Sequence, residues 1–277
     1  MNSFFVKMHR ERILTALLLG PLVLAIIGLG NRIAFDALMI LVCSLALYEY
    51  FSMLFPKDLL ITVLGIAGGF MMMGSAICFQ SPAGVALGFS ALILLTVVMI
   101  ILTYSRHQDP LRTMLSFFFG PAYISGAISM LILLRQEPFG LHWIFFLIIT
   151  VAAADTGAYY VGTHLGRNKL CPAISAGKTR EGAVGGIAAS AIFSILFWAL
   201  FFREANPLSL LLLAVVVAVA SQFGDLAESV IKRSCGVKDS GRLLPGHGGI
   251  LDRIDGMIMG TIVLFWTVHL SGPKFYQ

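Results

Sequence analysis

Five acidic residues lie within 31 positions near the end of the chain, and basic residues are interleaved with them. The acids are Asp225, Glu228, Asp239, Asp252 and Asp255, and the bases are Lys232, Arg233, Lys238, Arg242, His247 and Arg253. Asp225 and Glu228 are three positions apart, so both lie on one side of a helix. The same spacing joins Asp252 to Asp255. We expect two helix ends, one on each side of a loop, to bring these paired carboxylates together.

Clustered carboxylates with few soft ligands favour a hard cation such as Mg²⁺. The candidate ligands are Asp225, Glu228, Asp252 and Asp255. Pairs of such ions are the usual device for phosphoryl or nucleotidyl transfer, so we predict Mg²⁺ in two metal sites and leave the second open to a different cation. The alternative is a salt-bridge network that neutralises itself. That network would explain one or two pairs, but not four carboxylates beside a polar loop.

The loop 238–249 reads KDSGRLLPGHGG. Gly248 and Gly249 would allow the backbone to approach a ligand closely. They precede a helix that we expect to begin near Ile250 and to offer free N–H groups to an anion. His247 is interpreted as either a proton donor or a hydrogen-bond donor to phosphate. A glycine-rich loop alone is typical of a flexible hairpin, but one flanked by acids and bases predicts a polyphosphate and metal site.

A second polar cluster begins at Asp155, an acid in an otherwise apolar segment and therefore a functional candidate. It continues in a loop that contains Arg167, Lys169, Lys178, Thr179, Arg180 and Glu181. The string GKT at 177–179 suggests a phosphate-binding P-loop, but Pro172 occupies the position of a required glycine and we expect no strand before it. Lys178 and Arg180 are either substrate contacts or basic anchors beside a membrane.

The elements that must position these residues are membrane-spanning helices. The chain has 277 residues, of which 58% are hydrophobic and 12% charged, with a mean hydropathy of +0.91. This composition excludes a water-soluble enzyme and intrinsic disorder. The four cysteines lack CxxC spacing, which excludes a disulfide framework and a zinc site. The net charge of +5 comes from short loops between apolar runs, so a bilayer explains it better than nucleic acid.

Nine segments are long and apolar enough to cross a bilayer, which requires about 20 residues each. They are 13–30, 33–55, 59–79, 83–104, 111–134, 139–163, 183–202, 207–232 and 250–270. The first could be a signal peptide, but no small-residue cleavage site closes it, so we interpret it as retained. We expect an all-α integral membrane protein with a multi-span region of about five helices over 1–135. A catalytic region of about four helices follows over 136–277, with cytoplasmic loops 164–182 and 233–249.

The distribution of Lys and Arg predicts a cytoplasmic N-terminus and an outer C-terminus. Fourteen basic residues fall in the segments assigned inside, namely Lys7, Arg10, Arg12, Lys57, Arg106, Arg112, Arg167, Lys169, Lys178, Arg180, Lys232, Arg233, Lys238 and Arg242. Four fall outside: Arg32, Arg135, Arg203 and Lys274. The first half of the chain holds only two acids within its spans, Asp36 and Glu49, for which we expect helix-pairing or interfacial roles.

Residues 229–255 read SVIKRSCGVKDSGRLLPGHGGILDRID. This string resembles the signature of the phosphatidate cytidylyltransferases, also called CDP-diacylglycerol synthases, of the bacterial type. The strings DTGAYYVG at 155–162 and GKTREGAVGG at 177–186 are also similar to segments of that family. Arg180 departs from the family, where an aromatic residue is expected. The resemblance covers about 150–260, and the first half of the chain matches only in having several spans.

The resemblance implies that CTP and phosphatidic acid give CDP-diacylglycerol and pyrophosphate at the cytoplasmic face of a bacterial inner membrane. It also implies a divalent cation held by Asp225 and Asp252 near Asp255, and a homodimer without nucleic acid. With the residues above, it predicts a catalytic set of Asp225, Asp252, Asp255, Lys232 and Lys238. The predicted substrate-binding set is Arg233, Asp239, Arg242, His247, Gly248, Gly249, Arg253, Asp155, Lys178 and Glu181.

Three other functions are weighed against this one. A cation-coupled transporter would distribute its carboxylates across the midplane, whereas these gather at one face. A CDP-alcohol phosphotransferase would continue Asp255-Gly256 toward Ala-Arg, which this chain lacks. A purely structural membrane protein would not need the polar cluster.

Overall fold

The computed structural model describes residues 19–243 and 248–272, and helices account for most of them. The helices are α1 (Leu19–Leu29), α2 (Arg32–Leu54), α3 (Leu59–Phe79), α4 (Pro82–Thr103), α5 (Pro110–Gly120), α6 (Gly126–Leu134), α7 (Gly140–Leu165), α8 (Arg180–Phe201), α9 (Pro207–Ser234) and α10 (Leu251–Ser271). Within this described part, eight helical segments are long and apolar enough to cross a membrane. The predicted all-α integral membrane protein is confirmed. Of the first predicted span, 13–30, the apolar helix α1 is described and residues 13–18 lie outside the described chain.

Helices α2, α3 and α5 begin where short polar side chains satisfy their first N–H groups. Asn31 Oδ1 accepts from Ala34 N at 2.9 Å, and Asp58 Oδ1 accepts from Ile61 N at 3.1 Å. Asp109 Oδ1 accepts from Arg112 N at 3.0 Å in the same way. These caps lie in the predicted breaks between spans, so local sequence sets the helix starts there.

The span predicted at 111–134 is not a regular helix. The structure divides it into α5, a π-helical turn over Pro121–Ser125, and α6. Pro121 has no N–H to donate and its ring crowds the preceding turn, and a wider turn is one way to relieve both. Gly120 precedes this turn and lies against Tyr50, where an added Cβ would be 2.4 Å from the ring.

The loop predicted at 164–182 contains a small antiparallel hairpin. Strand β1 (Lys169–Cys171) pairs with strand β2 (Ser175–Thr179), with Lys169 opposite Thr179 and Cys171 opposite Ser175. The expectation that no strand precedes the GKT string is therefore wrong. The string itself lies within β2 and runs directly into α8, so it is not the loop of a phosphate-binding P-loop.

The chain divides into two compact units. The first comprises Met1–Ile132 and Cys235–Arg253. Its interior is aromatic and aliphatic, with Phe35, Leu47, Phe51 and Phe117 fully buried. Tyr50 adds a hydrogen bond from its hydroxyl to the Ser116 carbonyl at 2.9 Å, which ties α2 to α5.

The second unit comprises Leu133–Ser234 and Ile254–Gln277. Helices α7 and α8 pack closely because glycines face backbone at their crossing: a Cβ on Gly186 would lie 2.5 Å from the Ala154 carbonyl oxygen. Ser190 donates from its hydroxyl to the Thr150 carbonyl at 2.8 Å across the same pair of helices. Strand β2 runs directly into α8, and its Lys178 contacts Asp225 of α9.

Candidate active site

Three carboxylates of the second unit meet where α9 passes α10. Asp225 and Glu228 come from α9 and Asp255 from α10, and one ligand atom from each lies within 4.8 Å of the others. Gly224 makes this approach possible, since a Cβ there would lie 2.4 Å from the Asp255 carbonyl oxygen. We call Asp225, Glu228 and Asp255 the acidic triad. The spacing of three residues predicted from the sequence does place both α9 acids on one side.

Two lysines accompany the acidic triad. Lys178 Nζ lies 2.5 Å from Asp225 Oδ2, and Lys232 forms an ion pair with Glu228 one helical turn away. The Glu228 side chain is only 1% exposed, and a carboxylate so deeply buried requires compensating positive charge. Asp155 of α7 is close enough to Asp255 to interact with it electrostatically. The site therefore combines four carboxylates with two ammonium groups.

The acidic triad fits a divalent cation by the chemistry of its donors. All three ligands are carboxylate oxygens, which Mg²⁺ prefers, and the group contains no thiolate or imidazole that would favour a softer metal. Three buried or half-buried carboxylates within 4.8 Å repel one another, and a shared cation would relieve that repulsion.

The hairpin loop is fastened to this unit by two predicted site residues. Glu181 accepts hydrogen bonds from the backbone N–H groups of Arg167 and Asn168, at 3.1 and 3.2 Å, and from Asn168 Nδ2 at 2.7 Å. Arg233 Nε donates to the Ile174 carbonyl at 3.4 Å in the turn of the hairpin. Both side chains thus contact the loop that carries Lys178. The substrate-binding role predicted for Glu181 and Arg233 stays a prediction.

Asp252 lies in the first unit, in a separate hydrogen-bonded network. Its Oδ2 accepts from the backbone N–H groups of Ser240 at 2.9 Å and of Gly249 at 2.8 Å. The Ser240 hydroxyl lies 3.0 Å from the same oxygen. The bond to Gly249 spans three residues, as in a capping box, but it joins the second residue of α10 to the second residue before the helix. Asp252 thus folds the loop onto the start of α10.

Glu49 of α2 joins the same network from about 200 residues away. It is 3% exposed. Its Oε1 accepts from Ile250 N at 3.0 Å, and its Oε2 accepts from Leu251 N at 2.9 Å. The Ser240 hydroxyl donates to Oε2 at 3.0 Å. Of the two roles expected for this acid, helix pairing is the one that the contacts support.

The backbone N–H groups of residues 249–252 all have side-chain acceptors. Those of 249–251 reach Asp252 and Glu49, and that of Asp252 donates to Ser240 Oγ at 3.3 Å. The expectation that the start of α10 offers free N–H groups to a phosphate is therefore wrong. Gly249 is buried, and a Cβ there would lie 2.1 Å from Ser240 Oγ. The absence of a side chain at Gly249 leaves room for the Ser240 hydroxyl.

The other predicted site residues of the loop and of the first turn of α10 lie at the surface of the described chain. They are Lys238, Asp239, Arg242 and Arg253, all exposed. Gly248 has a φ of +79°, in the left-handed region that favours glycine, and a Cβ there would lie 2.7 Å from Asp252 Oδ2. His247 lies outside the described residues. Sequence reasoning gave no site role to Glu49 or Ser240, although an acid in an apolar span was the available sign for Glu49.

Comparison with known proteins gives consistent results. The model of the cytidylyltransferase family matches residues 10–271. The phosphatidate cytidylyltransferase of Bacillus subtilis (strain 168) is 34% identical over 266 residues, which cover 94% of this chain and 98% of the relative. That of Brucella suis biovar 1 (strain 1330) is 45% identical over 140 residues, covering 50% of this chain and 52% of the relative. That of Staphylococcus haemolyticus (strain JCSC1435) is 49% identical over 121 residues, covering 43% and 46%.

Proposed function

The chain belongs to the cytidylyltransferase family, and we propose that it transfers the cytidylyl group of CTP to phosphatidic acid, with CDP-diacylglycerol and pyrophosphate as products. The observation that carries this proposal is the acidic triad with its two lysines, in a chain that matches a phosphatidate cytidylyltransferase along almost its whole length. The membrane-spanning helices suit a lipid substrate that remains in the bilayer.

The acidic triad would hold a Mg²⁺ ion, which when bound supplies positive charge to the phosphate groups of CTP. The two lysines oppose the repulsion between the anionic substrates, and the short contact of Lys178 with Asp225 orients its ammonium group at the triad. Asp252, in the first unit, stays a proposed metal ligand. Its position there is set by Ser240 and Gly249.

The chemistry is a single displacement at phosphorus. A phosphatidate oxygen is already anionic, so it needs no general base. Its bond to the α-phosphorus forms as the bond from that phosphorus to the bridging oxygen breaks, and the electron pair leaves with pyrophosphate. The protein contributes positioning and charge stabilisation, which dominate this class of reaction. We therefore propose no covalent enzyme intermediate.

The side of the membrane that the active site faces and the oligomeric state of the protein are part of the proposal. The fourteen-to-four bias of basic residues supports an N-terminus in the cytoplasm and an active site that faces the cytoplasm. A bacterial inner membrane is the compartment that suits this orientation and the bacterial relatives. A homodimer follows from the family resemblance, and cross-linking of the protein in native membranes tests it.

The test is an assay with purified protein, CTP, Mg²⁺ and phosphatidic acid, in which pyrophosphate and CDP-diacylglycerol are both measured. Equal amounts of the two products are expected, with none when the lipid is omitted or EDTA is present. Asp225→Asn should lower turnover by at least about 10³-fold, whereas Glu204→Gln, the same carboxylate-to-amide change at an exposed acid outside the site, should not. A folded wild-type protein that yields neither product would overturn the proposed function.

A further inference from the structure

Glu49 lies in the half of the chain that the reaction does not otherwise use. It is one of the most deeply buried acids of the described residues, and its carboxylate contacts the start of α10 and the loop before it. A carboxylate beside a helix N-terminus is stabilised by the N–H groups and partial positive charge there. The bond lengths of 2.9 to 3.0 Å are those of well-formed hydrogen bonds.

Two glycines lie against this carboxylate, at positions where a side chain would collide with it. A Cβ on Gly241 would lie 2.5 Å from Glu49 Oε1, and its three nearest atoms would all belong to Glu49. A Cβ on Gly249 would lie 2.3 Å from Glu49 Oε2. The loop therefore encloses the Glu49 carboxylate from two sides, and any side chain at position 241 would displace it.

The network joins Glu49 to Asp252 through one hydroxyl group. Ser240 Oγ lies 3.0 Å from Glu49 Oε2 and 3.0 Å from Asp252 Oδ2. It also accepts from the Asp252 backbone N–H. A shift of the Glu49 carboxylate therefore moves Ser240 and the first turn of α10, and with them the Asp252 side chain.

We propose that Glu49 is a positioning residue for nucleotidyl transfer: it fixes the loop and the start of α10 so that the Asp252 carboxylate is held in its working orientation. This inference rests on the proposed function. Glu49 itself touches neither substrate. Loss of a group that orients a functional carboxylate typically lowers activity or ligand affinity by about 10- to 100-fold.

Glu49→Gln is the central variant because it keeps the shape and changes the hydrogen bonding. A carboxamide carries N–H donors on one side, so in either orientation it presents a donor to Ile250 N–H or to Leu251 N–H. The matched control is Asp36→Asn, which makes the same chemical change in the same helix. Asp36 is paired with Arg32 at 3.6 Å, away from this network.

Three measurements on purified protein in detergent decide the question. Hydrogen–deuterium exchange of the backbone amides of 248–256 reports whether Glu49 holds the start of α10, and it does not require an active enzyme. Steady-state assays give kcat and the KM for CTP per mole of folded protein, and thermal unfolding gives Tm. Glu49→Gln should speed exchange at the start of α10 at least tenfold and lower kcat/KM by about 10- to 100-fold. Asp36→Asn should stay within about twofold of wild type in both.

Gly241→Ala is an independent test of the same contact. If Glu49→Gln yields no folded protein, the same measurements on Gly241→Ala decide whether the inference holds. It should reproduce the loss by displacing the carboxylate, and adding Gly241→Ala to Glu49→Ala should cause no further loss of kcat/KM. Three results would each overturn the inference. One is hydrogen–deuterium exchange that is unchanged from wild type, and another is a double variant, Glu49→Ala with Gly241→Ala, whose loss of kcat/KM is the product of the two single losses. The third is a lower Tm with wild-type kcat and KM per folded molecule. A wild-type protein without activity would instead refute the proposed function, while the exchange data still test the contact.

Discussion

A methyl group added at Gly224 should pull the acidic triad apart without altering any charge. Gly224 precedes Asp225 on α9 and faces the backbone of Asp255 on α10. Gly224→Ala therefore tests whether the spacing of the two helices matters, separately from the charges that the helices carry.

The magnitude follows from the geometry. The new Cβ would lie 2.4 Å from the Asp255 carbonyl oxygen, whereas ordinary contact begins at 3.4 Å, so α9 and α10 must separate by about 1 Å. Metal–ligand distances tolerate changes of only about 0.2 Å. A misplacement of about 1 Å can lower a rate by about 100-fold. We expect kcat/KM to fall by about that factor, and overpacking to lower the free energy of unfolding by about 1–3 kcal/mol.

The assay is CDP-diacylglycerol formation at a series of Mg²⁺ concentrations, with thermal unfolding measured on the same samples. Gly224→Ala should also raise the Mg²⁺ concentration required for half-maximal activity. The control is Gly74→Ala in α3, another glycine of a membrane-spanning helix, where an added Cβ meets no atom within 4 Å. It should retain wild-type activity and stability.

A Gly224→Ala protein that is folded and keeps kcat/KM within about twofold of wild type would refute this reasoning. It would show that the carboxylates do not act as one group whose spacing is set by the contact of α9 with α10.

Four further predictions concern charge, topology and thiol reactivity. Asp225→Asn should lower turnover by at least about 10³-fold in the same assay, and near-normal activity of the folded variant would show that the metal is held elsewhere. Lys232→Met removes the lysine partner of a buried carboxylate and should lower the free energy of unfolding by about 3–5 kcal/mol, and an unchanged Tm would contradict this. An impermeant thiol reagent outside right-side-out vesicles should label the exposed Cys78 but neither Cys171 nor Cys235, and labelling of either loop cysteine would contradict the nine-span topology. Burial raises the pKa of the Cys235 thiol, more than nearby Arg112 lowers it. In opened vesicles its labelling should therefore lag behind that of free cysteine at pH 8 and rise with pH, as the reactive thiolate forms.

Local sequence predicted much of the fold because the spans are long and apolar and several of them begin at short polar caps. Asn31, Asp58 and Asp109 stand where the breaks were expected. The spacing of Asp225 and Glu228 predicted a shared helix face, and the structure confirms that these acids meet Asp255. The caps and the shared face of Asp225 and Glu228 depend on residues within one or two helical turns of one another, whereas the meeting with Asp255 depends on the packing of α9 against α10.

The features that the sequence did not reveal depend on distant contacts. Glu49 and the start of α10 are about 200 residues apart, and nothing in the spacing of either segment indicates their hydrogen bonds. The N–H groups of α10 were expected to bind phosphate because the helix start is glycine-rich, but a buried acid from α2 accepts two of them. Gly241 is explained by the same acid, since a side chain there would collide with it.

The most direct test of the central claim is the stereochemistry at the α-phosphorus of CTP. The purified protein is supplied with phosphatidic acid and CTP that carries a chiral α-phosphorothioate, and the configuration of the lipid product is determined. A single attack by the phosphatidate oxygen predicts inversion, with the α-phosphorus in the lipid product and the β and γ phosphates in pyrophosphate. Retention of configuration would require two displacements, and so a covalent intermediate, and would contradict the proposed mechanism.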